Sequence, residues 1–212
     1  MTSLSGPKKR SWLSLRILLA KMKKVGLLFG TFNPIHKGHL HLAEYFVNRP
    51  EINEVWFVIS PQSPFKTSET LLDNHHRLAM VRCAIAGQEK LKISTVEFKM
   101  PQPNYTADTL AALRTLHPDF DFILLMGADN IVRFTEWKNH EDILNNHAIY
   151  VYPRRGSSFS SKEAHPPIQF FENAPVVGIS STSLKDKLGD HDFLQQWLPE
   201  CVLALIQKNN WY

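Results

Sequence analysis

The chain has 212 residues, of which 43% are hydrophobic and 21% are charged, a composition typical of one globular domain. This composition excludes disordered, collagen-like and coiled-coil proteins. The only two cysteines, Cys83 and Cys201, exclude a disulfide scaffold and a cysteine-rich zinc module. A domain of this size needs no disulfide or structural metal for stability, and the low cysteine content fits a reducing compartment. The formal charge of +4 and the pI near 9.0 suggest an anionic partner such as nucleic acid or a membrane.

The excess positive charge lies in the first 21 residues. That segment contains five basic residues and no acidic one: Lys8, Lys9, Arg10, Arg16 and Lys21. The rest of the chain carries 19 basic and 20 acidic side chains, so it is not a basic domain. We therefore expect neither nucleic acid nor a membrane as a partner.

Residues 1–24 form a basic extension that precedes a domain at 25–212. Arg16 interrupts the apolar part of this extension, and the remaining run, Ile17–Ala20, is too short for a secretory signal or a membrane span. An amphipathic surface helix, a disordered extension and a true start at Met22 all stay open. Because Met22 would begin a typical cytosolic sequence, we expect a cytoplasmic protein.

Strands and helices are predicted to alternate along the domain. Short apolar runs predict strands at 25–29, 54–59, 91–98, 121–126 and 148–152. Helical spacing predicts helices at 38–46, 77–86, 106–116, 183–188 and 199–208. Thr106 is the predicted N-cap of the third helix, and the hydroxyl cluster at 180–182 is predicted to cap the fourth. Residues 61–70 and 154–167 are rich in turn-forming residues, and we expect the second of these loops to be mobile.

This alternation predicts an α/β fold, a single domain with an open parallel sheet and helices on both faces. Such sheets bind ligands at the carboxyl ends of their strands, near the point where the strand order reverses. Gly30 and Gly127 each follow a strongly apolar strand. We expect the binding crevice to lie beside them.

The sequence after the first strand, GTFNPIHKGH at 30–39, combines several features of a phosphate site. Gly30 lets a ligand approach the backbone, and the amides of Thr31 and Phe32 are candidates to face an anion. His36 and His39 stand three residues apart at a helix entry, where unpaired N–H groups and the helix dipole favour phosphate. Two imidazoles add hydrogen bonds to phosphate oxygens.

Two other interpretations of these histidines were considered. In one, one histidine caps the helix and the other is an ordinary surface residue. In the other, His36, His39 and His41 bind zinc, although no carboxylate or cysteine lies at ligand spacing.

The ten-residue string resembles the (H/T)-x-G-H signature of the nucleotidylyltransferase superfamily, and 179–185 resembles its second signature, I-S-S-T-x-x-R. Within that superfamily the chain is most similar to the bacterial nicotinate-nucleotide adenylyltransferases. Segments 60–66, 103–110, 126–138 and 151–154 support this resemblance, which runs from about Val25 to the last residue. It implies a Rossmann-like fold. Lys185 replaces the usual arginine, and because lysine lacks the bidentate fork we expect a looser grip on ATP.

The resemblance implies adenylyl transfer from ATP to nicotinate mononucleotide, giving deamido-NAD and pyrophosphate in NAD biosynthesis. His36 and His39 are the implied catalytic residues. The implied ATP-binding residues are Gly30, Thr31, Phe32, Gly38, Gly127, Ser180, Ser181, Thr182 and Lys185. The mononucleotide candidates are Lys66, Thr106, Asp129 and Trp137. Mg²⁺ is expected on the substrate phosphates, with no ligand from a protein side chain.

Several alternatives stay open. The acceptor could be nicotinamide mononucleotide or another phosphate ester, and a nucleotide-binding sensor without turnover is a second class of function. Lys66 is equally well a solvated loop residue, Asp129 a helix N-cap and Trp137 a packing residue. A homo-oligomer also stays open.

Overall fold

A computed structural model describes residues 22–62 and 71–212. The strands are β1 (Lys23–Gly30), β2 (Glu54–Ile59), β3 (Leu91–Ser94), β4 (Phe120–Gly127), β5 (Ile149–Tyr152) and β6 (Ile168–Phe170). The helices are α1 (Lys37–Val47), α2 (Asn74–Ala84), α3 (Thr106–Leu116), α4 (Ala128–Ile131), α5 (His140–Asn146), α6 (Ser181–Lys185), α7 (His191–Trp197) and α8 (Glu200–Asn209). Short 3₁₀ turns span Val96–Lys99 and Phe134–Glu136. The predictions for residues 1–21 and for Lys66 lie outside the described residues.

The six strands form one sheet in the order β3-β2-β1-β4-β5-β6, and every neighbouring pair is parallel. The order reverses between β1 and β4, which are neighbours in the sheet although they are far apart in sequence. Because all strands run in the same direction, their carboxyl ends meet at one edge, and the reversal opens a crevice there. The predicted open parallel sheet is confirmed.

Helices cover both faces of the sheet. Leu28 of β1 joins an apolar cluster that includes residues of α1, α2, α7 and α8. Its neighbour Leu27 joins the opposite cluster, which includes residues of α3 and α5. Successive strand residues point to opposite faces, so each apolar strand contributes to both clusters.

Some predicted element boundaries were wrong. The strand predicted at 91–98 ends at Ser94, and the chain then enters the 3₁₀ turn in which Glu97 is buried. Tyr105, and not Thr106, is the N-cap of α3, because Thr106 is already helical. The cap at the second signature is confirmed, since the Ser180 hydroxyl accepts a hydrogen bond from the Ser183 N–H. Four short elements were not predicted: β6, α4, α5 and α7.

Cys83 and Cys201 form a disulfide, with their Cα atoms 6.1 Å apart. The helices α2 and α8 pack against each other and bring the two cysteines together. The bond was not predicted, and it does not fit the reducing compartment that the low cysteine content suggested. The protein still has no disulfide scaffold of the kind that replaces a core, because large apolar clusters surround the sheet. Over the described part of the chain, the helices lack the combined length and apolar character needed to cross a membrane.

Candidate active site

The two histidines of the first signature stack at the amino end of α1. His36 is the N-cap residue, with an extended backbone and only 2% exposure. Its N–H donates to Nδ1 of His39 over 3.3 Å, and the two ring centroids lie 3.7 Å apart with the planes at 26°. His39 therefore caps the helix, as one alternative expected, but the other histidine, His36, is buried and is not the surface residue of that alternative. This capping occupies a single ring nitrogen and so is compatible with a phosphate role.

Gly38 makes this stacking possible. A Cβ atom at that position would overlap the side chain of Val177 and would lie 3.0 Å from Nδ1 of His36. Any larger residue would push apart the segments that meet at the start of α1. The glycine of the signature is therefore explained by close packing of the histidine pair.

The backbone of Phe32 turns the chain sharply after β1. Its φ of 46° lies in the left-handed region, which costs a non-glycine residue about 1–3 kcal/mol. The side chain is 1% exposed, and its ring contacts those of His39 and Phe57 at centroid distances of 5.0 and 5.4 Å. Burial of this ring holds the loop in its strained turn.

Arg77 lies behind the loop, and the sequence analysis did not identify it. It is 1% exposed, and Nη1 donates to the carbonyl oxygens of Thr31 at 2.6 Å and Ser60 at 2.7 Å. Further donations reach the carbonyls of Pro61 at 3.1 Å and Leu72 at 2.9 Å. Burial lowers the pKa of this guanidinium, yet arginine stays charged in proteins. A buried positive charge therefore joins the carboxyl ends of β1 and β2.

The second signature lies directly against the first. The Ser181 hydroxyl donates to the carbonyl oxygen of Pro34 over 3.0 Å, a contact between residues 147 positions apart. Ser180 and Ser181 are half-buried and Thr182 is exposed. Lys185 is half-buried at the carboxyl end of α6, one turn away from these hydroxyls. The structure thus brings the serines of the predicted ATP site to the histidine loop.

The carboxyl end of β4 carries Gly127 and Asp129. Gly127 is the N-cap of α4, so the alternative that Asp129 caps a helix is wrong. Asp129 is exposed, and its Oδ2 lies 3.6 Å from Nε of Arg154. A Cβ atom at Gly127 would overlap the Asp129 carboxylate, which explains the glycine at this strand end.

Lys138 links the segment that carries Trp137 to the start of α3, which carries Thr106. The Lys138 ammonium is 2.8 Å from Oδ2 of Asp108 on α3 and 4.8 Å from the ring centre of Tyr105. Thr106, between those residues, is the first residue of α3 and is half-buried. Trp137 is also half-buried, and its ring packs 5.5 Å from Phe134. The contact with Phe134 supports the packing interpretation of Trp137.

Potential metal ligands lie elsewhere in the described part of the chain. One group of three, Asp73, His75 and His76, has ligand atoms within 4.8 Å of one another at the start of α2. Among the described residues, His36, His39 and His41 do not form such a group, so the zinc interpretation gains no support. The donors beside the phosphate loop are imidazole, hydroxyl and amide groups, and these suit an anion better than a hard cation.

The two signatures that are predicted to bind phosphate meet at the switch point of a parallel sheet, an arrangement typical of the nucleotide-binding α/β class of proteins. The cytidylyltransferase-like family matches residues 27–187. A protein of Flavobacterium psychrophilum named "Probable nicotinate-nucleotide adenylyltransferase" is 44% identical over 191 residues, covering 89% of this chain and 98% of its own. A protein of Christiangramia forsetii with the same name is 45% identical over 192 residues, covering 90% and 98%.

A solved structure has the same fold: Plasmodium falciparum nicotinic acid mononucleotide adenylyltransferase, complexed with NaAD. It superposes with a TM-score of 0.75 at 22% identity, covering 89% of this chain and 96% of that one. The same enzyme complexed with APC gives a TM-score of 0.74 with the same coverage. The chain belongs to the cytidylyltransferase-like family and, within it, to the nicotinate-nucleotide adenylyltransferases.

Proposed function

We propose that this protein transfers AMP from ATP to nicotinate mononucleotide, forming deamido-NAD and releasing pyrophosphate in the cytoplasmic synthesis of NAD. The observation that carries this proposal is the Ser181–Pro34 hydrogen bond, which joins the two phosphate signatures at the β1–β4 crevice. The family relationship supplies the substrate class.

The reaction needs little covalent chemistry from the protein. A phosphate oxygen of the mononucleotide attacks the α-phosphorus of ATP, and the bond to the bridging oxygen breaks, so that pyrophosphate leaves with the bonding electron pair. The second pKa of a phosphate monoester is about 6, so this nucleophile is already ionised at neutral pH. The protein must align the two substrates and neutralise developing charge.

Charge neutralisation falls to the phosphate loop. His36 and His39 would donate hydrogen bonds to the ATP phosphates, together with the amides of Thr31 and Phe32. Ser180, Ser181, Thr182 and Lys185 would complete the phosphate cradle, and Gly30, Gly38 and Gly127 leave room for it. The buried Arg77 adds positive potential from behind Thr31.

Magnesium enters with the substrate, as MgATP. Mg²⁺ keeps several water ligands and binds phosphate oxygens readily, so it requires few protein donors. Asp129, the carboxylate at this strand edge, lies in α4 directly after β4 and pairs with Arg154. We therefore assign no protein ligand to the metal.

The acceptor would lie at the β4 side of the crevice. The unpaired N–H groups at the start of α3, with the Thr106 hydroxyl, would accommodate the ring carboxylate, which only accepts hydrogen bonds. Trp137 would stack on the pyridine ring, and Asp129 would accept from ribose hydroxyls. Lys66, outside the described residues, stays the candidate for the mononucleotide phosphate.

The test is an assay of pyrophosphate release with ATP and either nicotinate or nicotinamide mononucleotide. We expect kcat/KM for the acid to exceed that for the amide by at least about tenfold, because an amide presents donors to a site built of donors. Thr106→Val should reduce this ratio, while Thr115→Val at the exposed far end of the same helix should not. Preference for the amide would overturn the substrate assignment. No pyrophosphate release from either mononucleotide would favour a nucleotide-binding sensor.

A further inference from the structure

The amide oxygen of Asn33, inside the phosphate loop, has two hydrogen-bond donors. Asn33 is 1% exposed and precedes Pro34. Its Oδ1 accepts from the Leu72 N–H at 3.2 Å and from the Tyr212 hydroxyl at 2.6 Å. A backbone N–H can only donate, so the side-chain oxygen must face Leu72. Tyr212, which meets the same oxygen, must therefore be a donor as well.

Tyr212 is brought to this oxygen by the packing of α8. The apolar face of α8 packs on α2, with Val202, Leu203 and Ile206 in the same apolar cluster as Met80 and Val81. The disulfide between Cys83 and Cys201 joins the same two helices.

The chain turns after α8 and is then held by two further contacts. Asn210 turns it with a left-handed φ of 50°. The Trp211 N–H donates to the Ile206 carbonyl at 3.1 Å, and the Trp211 ring lies 4.5 Å from that of His76. These contacts define the path of the backbone immediately before Tyr212.

The Tyr212 hydrogen bond extends the network around Arg77. Leu72 donates to Asn33 through its N–H and accepts from Arg77 through its carbonyl, while Arg77 also donates to the Thr31 carbonyl. Burial raises the pKa of the Tyr212 phenol, and the Arg77 charge opposes this increase only in part. The phenol therefore stays protonated and remains a donor at neutral pH.

We propose that Tyr212 is a positioning residue for ATP: by donating to Asn33, it fixes the orientation of the loop that carries His36 and His39. The Asn33 amide lies three residues before His36, so a change in its orientation moves the start of α1. Tyr212 lies at the outer end of the network, where its hydroxyl donates to Asn33. This assignment rests on the proposed function, because ATP is the ligand of that loop.

The experiment compares Tyr212→Phe with Tyr45→Phe, which removes a phenol oxygen from a half-buried position late in α1. Loss of one hydrogen bond should raise KM and the calorimetric Kd for MgATP about fivefold in Tyr212→Phe. KM for nicotinate mononucleotide and the Tm should stay near the wild-type values, and Tyr45→Phe should change none of these quantities. An unchanged KM and Kd for ATP would overturn the proposal. An equal change in both KM values with a lower Tm would also overturn it, since it would indicate a structural role only.

A second variant tests whether Tyr212 acts through Asn33. Asn33→Asp replaces a neutral acceptor by a charged one, and hydrogen bonds to charged acceptors are stronger. In that background Tyr212→Phe should weaken MgATP binding more than it does in the wild type. An equal or smaller effect would show that Tyr212 does not act through residue 33. The calorimetric Kd for MgATP can be measured without turnover. If the wild-type protein bound ATP but released no pyrophosphate, the proposed function would be refuted, and the binding test of Tyr212 would still apply.

Discussion

The two ends of the crevice are built in different ways. At the β1 end the polar residues are buried, and Asn33, His36 and Arg77 are each no more than 2% exposed. At the β4 end the charged side chains of Asp129 and Lys138 lie on the surface, exposed over 49% and 45% of their side chains. The phosphate end is thus a preorganised structure, whereas the acceptor end is held by contacts that solvent can reach.

This difference follows from what each end would have to do. Stabilising charge on transferring phosphates requires donors that are fixed before the reaction, and buried hydrogen bonds provide that fixation. Recognising an acceptor requires only a few directed side chains, for which screened surface pairs suffice. We therefore expect substitutions at the first end to affect folding and turnover, and substitutions at the second to affect mainly KM.

The largest effect is expected from Arg77→Met. Removing the guanidinium leaves buried carbonyl oxygens without donors, so the free energy of unfolding should fall by about 3–5 kcal/mol. Urea denaturation measures this change. Arg82→Met, on the exposed face of the same helix, is the matched control and should change stability by less than about 0.5 kcal/mol. Similar values for the two variants would contradict the role given to Arg77.

The next largest effect is expected from His39→Ala. Loss of a donor aimed at the phosphates should lower kcat by about 10²–10³-fold, as removal of a preorganised donor does in other enzymes. The far-ultraviolet circular dichroism spectrum should stay close to that of the wild type. His41→Ala, an exposed position on α1, should retain full activity. Near-normal turnover in His39→Ala would rule out the assigned role.

At the acceptor end, Lys138→Ala should have a smaller effect. The Lys138–Asp108 pair is exposed, and such pairs contribute about 0–1 kcal/mol to stability. KM for nicotinate mononucleotide should nevertheless rise a few-fold, because the pair links the Trp137 segment to α3, while KM for ATP stays constant. Steady-state kinetics at low and high salt measures the two KM values. Lys90→Ala, at an exposed lysine before β3, is the control. A loss of stability in Lys138→Ala as large as that in Arg77→Met would contradict the difference between the two ends.

The smallest effect is expected from Glu97→Gln, a buried carboxyl behind the acceptor end. Burial raises the pKa of Glu97, against the lowering effect of hydrogen bonds from Thr109 and Ser60. A carboxyl whose pKa is raised in the folded state stabilises the protein at a pH below 4.5, which is its pKa in the unfolded chain. That stability is lost as the pH rises through the folded-state pKa. Glutamine does not titrate, so the stability of Glu97→Gln relative to the wild type should increase over this pH range.

The control for this pH trend is Glu163→Gln. Ser160 donates a hydrogen bond that lowers the pKa of Glu163, so this variant should show the opposite pH trend. Chemical denaturation of both variants from pH 3 to pH 8 gives the comparison, because the change for Glu163 falls below its unfolded-state pKa of 4.5. A flat profile for Glu97→Gln would show that its carboxyl is not perturbed.

The features predicted well from sequence are those encoded by neighbouring residues. The bounds of β2 and α3 match the prediction, because a short apolar run and a helical spacing are complete within their own segments. The same holds for the ten-residue histidine signature and for the family, which the relatives confirm. Thr106 was misplaced as a cap because a helix boundary depends on one residue's backbone. The division of the chain at residue 24 stays a prediction.

Other features depend on residues that meet only after folding. Arg77 belongs to no sequence motif, and its hydrogen-bond partners are carbonyl groups, which every residue possesses. Only its helical spacing from the buried residues Met80 and Val81 could have predicted that Arg77 is buried. No sequence pattern predicted the contact of Tyr212 either, since its hydrogen-bond partner Asn33 lies 179 positions away. The disulfide was missed for the same reason.

The class of the protein can be derived from the sequence alone, because its two signatures and its strand-helix alternation are local patterns. The sequence also shows that the positive charge behind the high pI lies in the first 21 residues. The contacts of Ser181 with Pro34 and of Tyr212 with Asn33 are seen only in the folded chain. Strand order and helix docking set those contacts, and they arise from burial of apolar surface across the whole chain, which no single segment encodes.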